Sequence, residues 1–395
     1  MVSREDNELM TRVGPGTPCG DLLRRYWMPV CPAIELTKEK PKKRIKILGE
    51  DLVLFRDGAG RYGLVAEQCA HRRASLYYGF VEEDGLRCPY HGWKYDVSGQ
   101  CIEMPFEPKG TPLMQEACQA AYPVEQLAGI LFAYMGPKPV PLLPRYEHLV
   151  RKDGKRRIAV LPVHRCNWLQ AQENSVDPVH TYWLHGGTLK SLGLQKDKQD
   201  YYMRPIENYE FEVVHATGWS GIRKVRIYGG ENAEREGGHP AIFPNILMNA
   251  QGKQLATKKR EIVSHWRVPL DDENTHILWC GFTPSDDGAE IDQPDDQIPV
   301  SYADHPMQPD GEYDLSTFFS QDLMAWETQG PLYDRSQELL GRSDSGIAMW
   351  RKLLRQQIEA VKAGKDPAGV IRDPKQNEII RFGIDERSKN ALAAE

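Results

Sequence analysis

Short runs of alternating hydrophobic and polar residues fill the part of the chain that follows Arg44. There the sequence reads RIKILGEDLVLFRDGAGRYGLVAEQCAH, and the turn-forming groups Gly-Glu-Asp and Asp-Gly separate the runs. Alternation with a period of two is typical of β-strands that bury one face, and such groups are typical of tight turns. The segment KYDVSGQCIEM continues in the same way. The pattern predicts an all-β domain in the first part of the chain.

The pattern changes near residue 140. Residues 136–149, GPKPVPLLPRYEHL, are rich in proline and lack periodicity, which is typical of a linker or a domain seam. Beyond them, LSTFFSQDLMAWETQG and SGIAMWRKLLRQQIEAVKAG show helical periodicity, whereas EIVSHWRVPL and THILWCGFTP are typical of strands. We therefore predict an α+β fold, in which an antiparallel sheet covered by helices follows the all-β domain. The predicted ranges are a helical arm over 1–24, the all-β domain over 25–140 and the second domain over 141–395.

The composition narrows the classes of function. A chain of 395 residues with 40% hydrophobic and 27% charged residues is typical of a globular protein of two domains. Its net charge of -6 disfavours nucleic acid as a partner, and no apolar run approaches the roughly 18 residues of a membrane span. The charged start, MVSREDNELM, differs from a signal peptide, so we expect a cytoplasmic protein. In that reducing compartment the eight cysteines are expected to be core residues or metal ligands.

Two matched pairs of cysteine and histidine stand out in the all-β segment. Cys69 and His71 lie in CAHRR, and Cys88 and His91 lie in CPYHGW, each pair next to turn-forming residues. Two thiolates and two imidazoles suit a structural zinc ion. They equally suit a two-iron, two-sulfide cluster in which one iron has cysteine ligands and the other has histidine ligands. Zinc fingers usually have both cysteines first and both histidines second, whereas here each loop offers one of each.

The motif C-x-H, sixteen residues, C-x-x-H, followed by Gly-Trp, resembles that of the Rieske iron–sulfur domain. The resemblance implies that Cys69, His71, Cys88 and His91 bind a Rieske cluster and that the predicted all-β domain is a Rieske domain. Neutral imidazole ligands let such a cluster accept an electron more readily than a cluster with four cysteines.

A second group of possible ligands follows in ENSVDPVHTYWLHGG, which contains Glu173, Asp177, His180 and His185. Pro178 suits a first helical position, and Asp177 suits the N-cap before it. The two histidines are five residues apart, or about 140° around an ideal helix. They therefore converge only if the helix ends or bulges there.

Two imidazoles need a carboxylate to complete the facial triad of an oxygen-activating ferrous site. Glu173 is close in sequence, but Asp322 in FFSQDLMAWETQGPL lies on the helix face made by Phe319 and Trp326. A carboxylate on a buried face is costly unless it is paired or bound to a metal. The alternative is an aspartate paired with an arginine.

The pattern E-x-x-x-D-x-x-H-x-x-x-x-H resembles the iron motif of Rieske non-haem iron oxygenases, and QDLMAWETQGP resembles the late helix that carries their aspartate ligand. The resemblance implies that His180, His185 and Asp322 bind a mononuclear ferrous iron in the second domain. It implies that Asp177 links a cluster histidine of one subunit to an iron-ligand histidine of the next. Glu173 is then expected to support the site rather than bind the iron. Further segments, such as ENAEREGGHPAIFPNILM and SHWRVPLDDENTH, are similar to the phthalate dioxygenase-type branch.

The resemblance also implies an activity. Members of this branch are terminal oxygenases, which use O2 and electrons from NAD(P)H that a separate flavin and iron–sulfur reductase delivers. They form homotrimers or stacked trimers, and they hydroxylate or O-demethylate aromatic, often carboxylated, compounds in aromatic catabolism. An arginine would suit a carboxylated ring, and the predicted strand GWSGIRKVRIYGG offers Arg223 and Arg226. Because they are three apart they face opposite sides, and a surface charge is the default expectation for each.

Three alternatives from other classes stay open at this point. One is a Rieske-type oxygenase that acts on a non-aromatic natural product. Another is an electron-transfer protein that has the cluster but no second iron. The third is a zinc-stabilised binding module.

Overall fold

The computed structural model describes residues 2–216, 218–230, 233–251 and 261–382. Three small antiparallel sheets form the first part of the chain, with strand orders β1-β11-β10, β2-β3-β4-β9 and β5-β6-β7-β8. The strands are β1 Trp27–Pro32, β2 Lys42–Ile47, β3 Glu50–Arg56, β4 Tyr62–Ala66, β5 Phe80–Glu82, β6 Gly85–Arg87, β7 Lys94–Tyr95, β8 Cys101–Glu103, β9 Ala121–Tyr122, β10 Val124–Leu127 and β11 Ile130–Tyr134.

One large sheet of eight strands forms the second part, in the order β13-β14-β15-β16-β17-β18-β12-β19. Neighbouring strands pair antiparallel except β12 and β19, which pair parallel. The strands are β12 Gly154–Val160, β13 Ile206–Ala216, β14 Trp219–Tyr228, β15 Glu234–Ile242, β16 Ile246–Gln251, β17 Glu261–Pro269, β18 Thr275–Pro284 and β19 Val300–Tyr302. The predicted α+β fold, with an all-β part before a sheet and helices, is confirmed.

The helices lie mainly before and after the strands of this sheet. They are α1 Arg4–Thr11, α2 Pro18–Leu23, α3 Leu113–Glu116, α4 Glu147–Val150, α5 Trp168–Asn174, α6 Thr188–Ser191, α7 Lys196–Tyr202, α8 Phe318–Glu327 and α9 Ser345–Lys362, with a π-helix at Thr181–Gly187. Single 3-10 turns lie at Ala33–Glu35, Leu76–Tyr78, Asp295–Gln297, Arg335–Gln337, Arg342–Asp344 and Pro374–Gln376. Within the described ranges, no helix has the length and apolar character that crossing a membrane would require.

The two faces of the large sheet have different neighbours, and β17 shows the division. The ring of Trp266 lies 5.6 Å from that of Phe132 of β11, so this face packs against the first part of the chain. Side chains of a strand alternate between faces, so Arg267 and His265 face the other way. There the ring of His265 stacks on Trp279 of β18 at 4.3 Å. Helix α8 therefore covers this second face, since Trp279 meets its Phe319 edge-on at 6.1 Å.

Candidate metal centres and active site

The two Cys-His pairs lie on two neighbouring loops. Cys69 follows β4 and Cys88 follows β6, and both are almost fully buried, at 1% and 3% exposure. His71 is exposed and His91 is half-buried, and their ring centres are 4.8 Å apart. The loops thus hold the two thiols on the inside and the two imidazoles on the outside.

Each loop has a tight turn that closes on its own cysteine. The Arg73 N–H donates to the Cys69 carbonyl at 2.9 Å, and the Gly92 N–H donates to the Cys88 carbonyl at 3.2 Å. Gly92 has φ +73°, and a Cβ there would come within 3.0 Å of the Pro105 ring. Glycine is therefore required directly after His91, as the quoted motif has it.

The donor set suits a two-iron, two-sulfide cluster. Burial raises the pKa of Cys88, and so does the neighbouring Cys69 thiol, while the backbone N–H groups of Tyr90 and His91 lower it by less. The Nδ1 atom of His91 is buried and has no hydrogen-bond partner in the described part of the chain. A buried ring nitrogen without a partner is costly unless it binds a ligand or a metal. The Tyr95 hydroxyl lies 3.2 Å from the Cys69 sulfur, where it can donate to a thiolate.

The second group forms where α5 gives way to the π-helix. His180 directly precedes the π-helix and His185 lies within it, and their ring centres are 5.3 Å apart. The wider turn brings residues five apart onto one side, as an ideal α-helix would not. The predicted irregularity of this helix is confirmed.

Helix α8 brings the carboxylate of Asp322 to the two histidines. The helix begins at Phe318, where the Thr317 hydroxyl accepts from the Ser320 N–H. His180, His185 and Asp322 each offer a ligand atom, and these atoms lie within 4.8 Å of one another. The Asp322 carboxylate accepts from the Asn174 side-chain amide at 3.0 Å. Within the described ranges no arginine lies within ion-pair distance of Asp322, so its observed partners are Asn174 and His185.

Gln321 fixes the orientation of His185. Its Oε1 lies 2.8 Å from Nδ1 of His185, and its own amide donates to the Leu315 carbonyl at 2.8 Å. The other ring nitrogen, Nε2, thus faces Asp322 Oδ1 at 3.5 Å. Burial lowers the pKa of His185, which favours the neutral, ligand-competent ring. Gln321 and Asn174 were not predicted, because their only signal in the sequence is that each adjoins a residue that was.

Asp177 combines two contacts. Its Oδ1 accepts from the Val179 N–H at 2.7 Å and the His180 N–H at 3.3 Å, as an N-cap does, and its Oδ2 lies 3.5 Å from His180 Nδ1. Its carbonyl accepts from the buried Lys224 ammonium at 2.8 Å. Burial raises the pKa of Asp177, but His180 and the Val179 N–H together lower the pKa by more than burial raises it. The carboxylate is therefore ionised.

Glu173 is not part of the metal group. Its carboxylate is buried between two arginines, with contacts of 2.9 Å to Arg335 and 2.6 Å to Arg351. Arg351 also pairs with Glu338, which extends the buried network. Glu173 was expected to support the iron site, but in the described residues it makes no contact with His180, His185 or Asp322. Instead, the ion pair of Glu173 with Arg351 links α5 to the C-terminal helix α9.

We expect Glu173→Ala to destabilise the fold by about 3–5 kcal/mol, because it leaves two buried guanidinium groups without their shared partner. The measurement is the free energy of unfolding in urea, with iron content per folded chain determined in parallel. Glu261→Ala is the matched control, since its partner Arg157 is exposed and such pairs contribute about 0–1 kcal/mol. Loss of iron at full stability would instead place Glu173 in the metal site.

Arg223 and Arg226 lie on β14 and face opposite sides, as predicted, but the default expectation of surface charges is wrong. Both are buried, at 6% and 5% exposure. Arg223 donates to the Phe382 carbonyl at 2.9 Å and pairs with Glu212. Arg226 donates to the carbonyl of Pro178 at 2.6 Å and pairs with Glu236. Each guanidinium therefore already has internal partners, and a role for either in substrate binding stays a prediction.

Comparisons with known proteins agree with this geometry. Residues 26–124 match the Rieske [2Fe-2S] domain, and residues 301–384 match the LigXa C-terminal domain like family. The chain is 39% identical to the 5,5'-dehydrodivanillate O-demethylase oxygenase subunit of Sphingobium sp., over 96% of this chain and 86% of that protein. The chain belongs to the Rieske oxygenases. This Rieske oxygenase is also 30% identical to the phthalate 4,5-dioxygenase oxygenase subunit of Pseudomonas putida, over 97% of this chain and 92% of that protein.

Solved structures of Rieske oxygenases share the fold. Pseudomonas putida CBB5 NdmA aligns with a TM-score of 0.64 at 22% identity, over 89% of this chain and 98% of that one. The oxygenase in the oxygenase and ferredoxin complex of carbazole 1,9a-dioxygenase aligns with a TM-score of 0.65 at 19% identity, over 92% and 98% of the two chains. The domain match identifies an iron–sulfur cluster, so the zinc alternative is wrong. The enzyme is an oxidoreductase of the Rieske type, rather than an electron carrier without catalysis.

Proposed function

We propose that Cys69, His71, Cys88 and His91 hold the Rieske cluster and that His180, His185 and Asp322 hold a single ferrous iron. The observation that carries the proposal is the convergence of two imidazoles and one carboxylate within 4.8 Å, on the side of the sheet that α8 covers. This is the donor set of oxygen-activating ferrous sites, and it leaves further coordination positions open. When bound, the cluster supplies electrons one at a time and the ferrous iron binds and reduces O2.

The remaining residues prepare these ligands. The Gln321 side chain keeps Nε2 of His185 directed at Asp322, and the Asn174 amide holds the Asp322 carboxylate in place. Fixing ligands in this way raises metal affinity, since neither has to be reoriented on binding.

We propose that Asp177 connects the two metal centres of neighbouring subunits in a homotrimer or stacked trimers. His71 is exposed, so it can contact the surface of another copy of the chain. Asp177 holds His180 and keeps an ionised carboxylate beside it. Electrons would come from NAD(P)H through a separate reductase, in keeping with relatives that are named as oxygenase subunits. A cytoplasmic location is part of the same proposal.

For the substrate we propose an aromatic compound that carries a carboxylate and is hydroxylated or O-demethylated. The names of three relatives support this class: 5,5'-dehydrodivanillate O-demethylase, phenoxybenzoate dioxygenase and phthalate 4,5-dioxygenase. A second candidate is a non-aromatic substrate. It is favoured by a relative at 36% identity over 95% of this chain, a tert-butanol monooxygenase / tert-amyl alcohol desaturase oxygenase subunit of Aquincola tertiaricarbonis.

The test is a visible and electron paramagnetic resonance spectrum before and after dithionite, with metal analysis alongside. We expect a Rieske signal of low average g-value and one further iron beyond the two of the cluster. Turnover trials with methoxylated and unsubstituted benzoates, and with tert-butanol, then separate the two substrate classes. A protein that takes up no iron beyond the cluster, even after anaerobic loading with ferrous iron, would contradict the proposed oxygenase site.

A further inference from the structure

Arg267 of β17 is a buried arginine to which the described part of the chain offers no ion pair. It is 3% exposed, and its Nε and Nη1 atoms have no hydrogen-bond partner in the described residues. No ion pair of Arg267 occurs within those ranges either. Other buried arginines of the second part do have partners: Arg223, Arg226, Arg335 and Arg351. An unpaired buried guanidinium is costly, so this side chain needs a negative group that the described chain does not supply.

Arg267 lies on the same side of the large sheet as the proposed iron ligands. It is electrostatically coupled to the Asp322 carboxylate, which raises its pKa, although the larger effect of burial lowers that pKa to about 9. A ferrous ion bound at Asp322 would neutralise the negative charge of that carboxylate. The positive charge of Arg267 would then be still less compensated, which increases its preference for an added anion.

Two more side chains beside Arg267 on this face each have a buried ring nitrogen without a partner among the described residues. His265 is two residues away on β17 and pairs in register with Trp279 of β18, and the two rings stack. Nε2 of His265 and Nε1 of Trp279 are buried and have no partner in the described part of the chain. Burial first, and then the charge of Arg267, lower the pKa of His265 well below its ordinary value, so this ring is neutral.

The same face also offers aromatic surface. His265 and Trp279 are each partly solvent-accessible, and Trp279 meets Phe319 of α8 edge-on. Phe319 lies one turn before Asp322 on the same helix. A planar ring could therefore rest against Trp279 and Phe319 while an acidic group on that ring reaches Arg267.

We propose that Arg267, with His265 and Trp279 beside it, is the anion-binding end of the substrate pocket and holds a carboxylate of an aromatic substrate. This inference rests on the proposed function and deepens it, since it names the residue that selects carboxylated substrates. It moves the role that was expected for Arg223 or Arg226 to a different strand. Arg267 binds and positions the substrate and takes no part in the chemistry.

The experiment measures binding rather than turnover. Dissociation constants of benzoate and of its uncharged counterpart benzamide are determined calorimetrically with the full-length oxidised protein, before and after anaerobic loading with ferrous iron. We expect the protein to prefer benzoate, and Arg267→Gln to weaken benzoate binding by roughly 10- to 100-fold while benzamide changes little. Arg267→Lys should keep part of the preference, because it keeps the charge but loses the two-pronged geometry.

Arg157→Gln is the matched control, since Arg157 is an arginine of the same sheet that pairs with Glu261 at the surface. It should bind benzoate as the unmodified protein does. The inference is overturned if the unmodified protein binds benzamide as tightly as benzoate, or if Arg267→Gln keeps the preference. A benzoate preference that depends on Arg267 in a protein that takes up no further iron would support the anion site and contradict the proposed oxygenase site. Iron uptake without any preference for benzoate would support the proposed oxygenase site and contradict the anion site.

Discussion

Asp322→Ala is expected to abolish turnover and remove the mononuclear iron while leaving the Rieske spectrum unchanged. Asp322 is the single carboxylate in the group with His180 and His185, and two neutral imidazoles alone hold ferrous iron weakly. The loss of iron affinity should exceed the roughly 10- to 100-fold effect that is typical of residues that only support a metal ligand. The cluster residues lie in the separate loops after β4 and β6, so their spectrum should not change.

The measurement is iron content per chain, determined with the visible spectrum of the same sample. Glu312→Ala is the control: Glu312 is an exposed acid that precedes α8 and lies outside the metal group. Asn174→Ala should give an intermediate result, because the Asp322 carboxylate then loses one hydrogen bond but stays in place. Unchanged iron content in Asp322→Ala would show that another residue completes the site.

Most of the candidate site residues were predicted from the spacing of the sequence motifs. Cys69, His71, Cys88 and His91 were predicted from two local patterns, since each loop needs only its own residues to form its turn. The apolar neighbours of Asp322 on one helix face made it a candidate beside Glu173, and the family resemblance implied that it is the ligand. The irregular helix was predicted from the five-residue separation of His180 and His185. The irregular helix is confirmed, and it could be predicted because it depends on interactions within about one or two helical turns.

The interpretations that failed depend on partners that are distant in the sequence. Glu173 pairs with Arg335 and Arg351, which are 162 and 178 residues away, and no local pattern reveals such a contact. Arg223 and Arg226 look like surface charges because burial depends on β13, β15 and the C-terminal residues packing around β14. Arg267 gave no signal in the sequence, since a single arginine in a strand is ordinary; only the structure shows that it is buried and that the described residues offer it no ion pair.

Asp177→Asn is expected to reduce turnover by roughly 10- to 100-fold or more, while the iron content, the Rieske spectrum and the stability stay near normal. Asparagine is as good an N-cap as aspartate, so the contacts to the Val179 and His180 N–H groups should persist. What is lost is the negative charge beside His180 Nδ1. The effect should therefore fall on the transfer of electrons from the cluster, which is measured as the rate of cluster reoxidation in a single turnover with O2 and substrate.

Asp373→Asn is the matched control, because Asp373 also precedes a proline and accepts from the N–H two residues on, but lies in the exposed turn at Pro374–Gln376. If capping were all that Asp177 does, both variants would turn over normally. If Asp177 only shaped the iron site, Asp177→Asn would lose iron in proportion to activity. Slow cluster reoxidation at full iron occupancy is the result that only a role between the two centres explains, since neither a cap nor a metal support controls that rate alone.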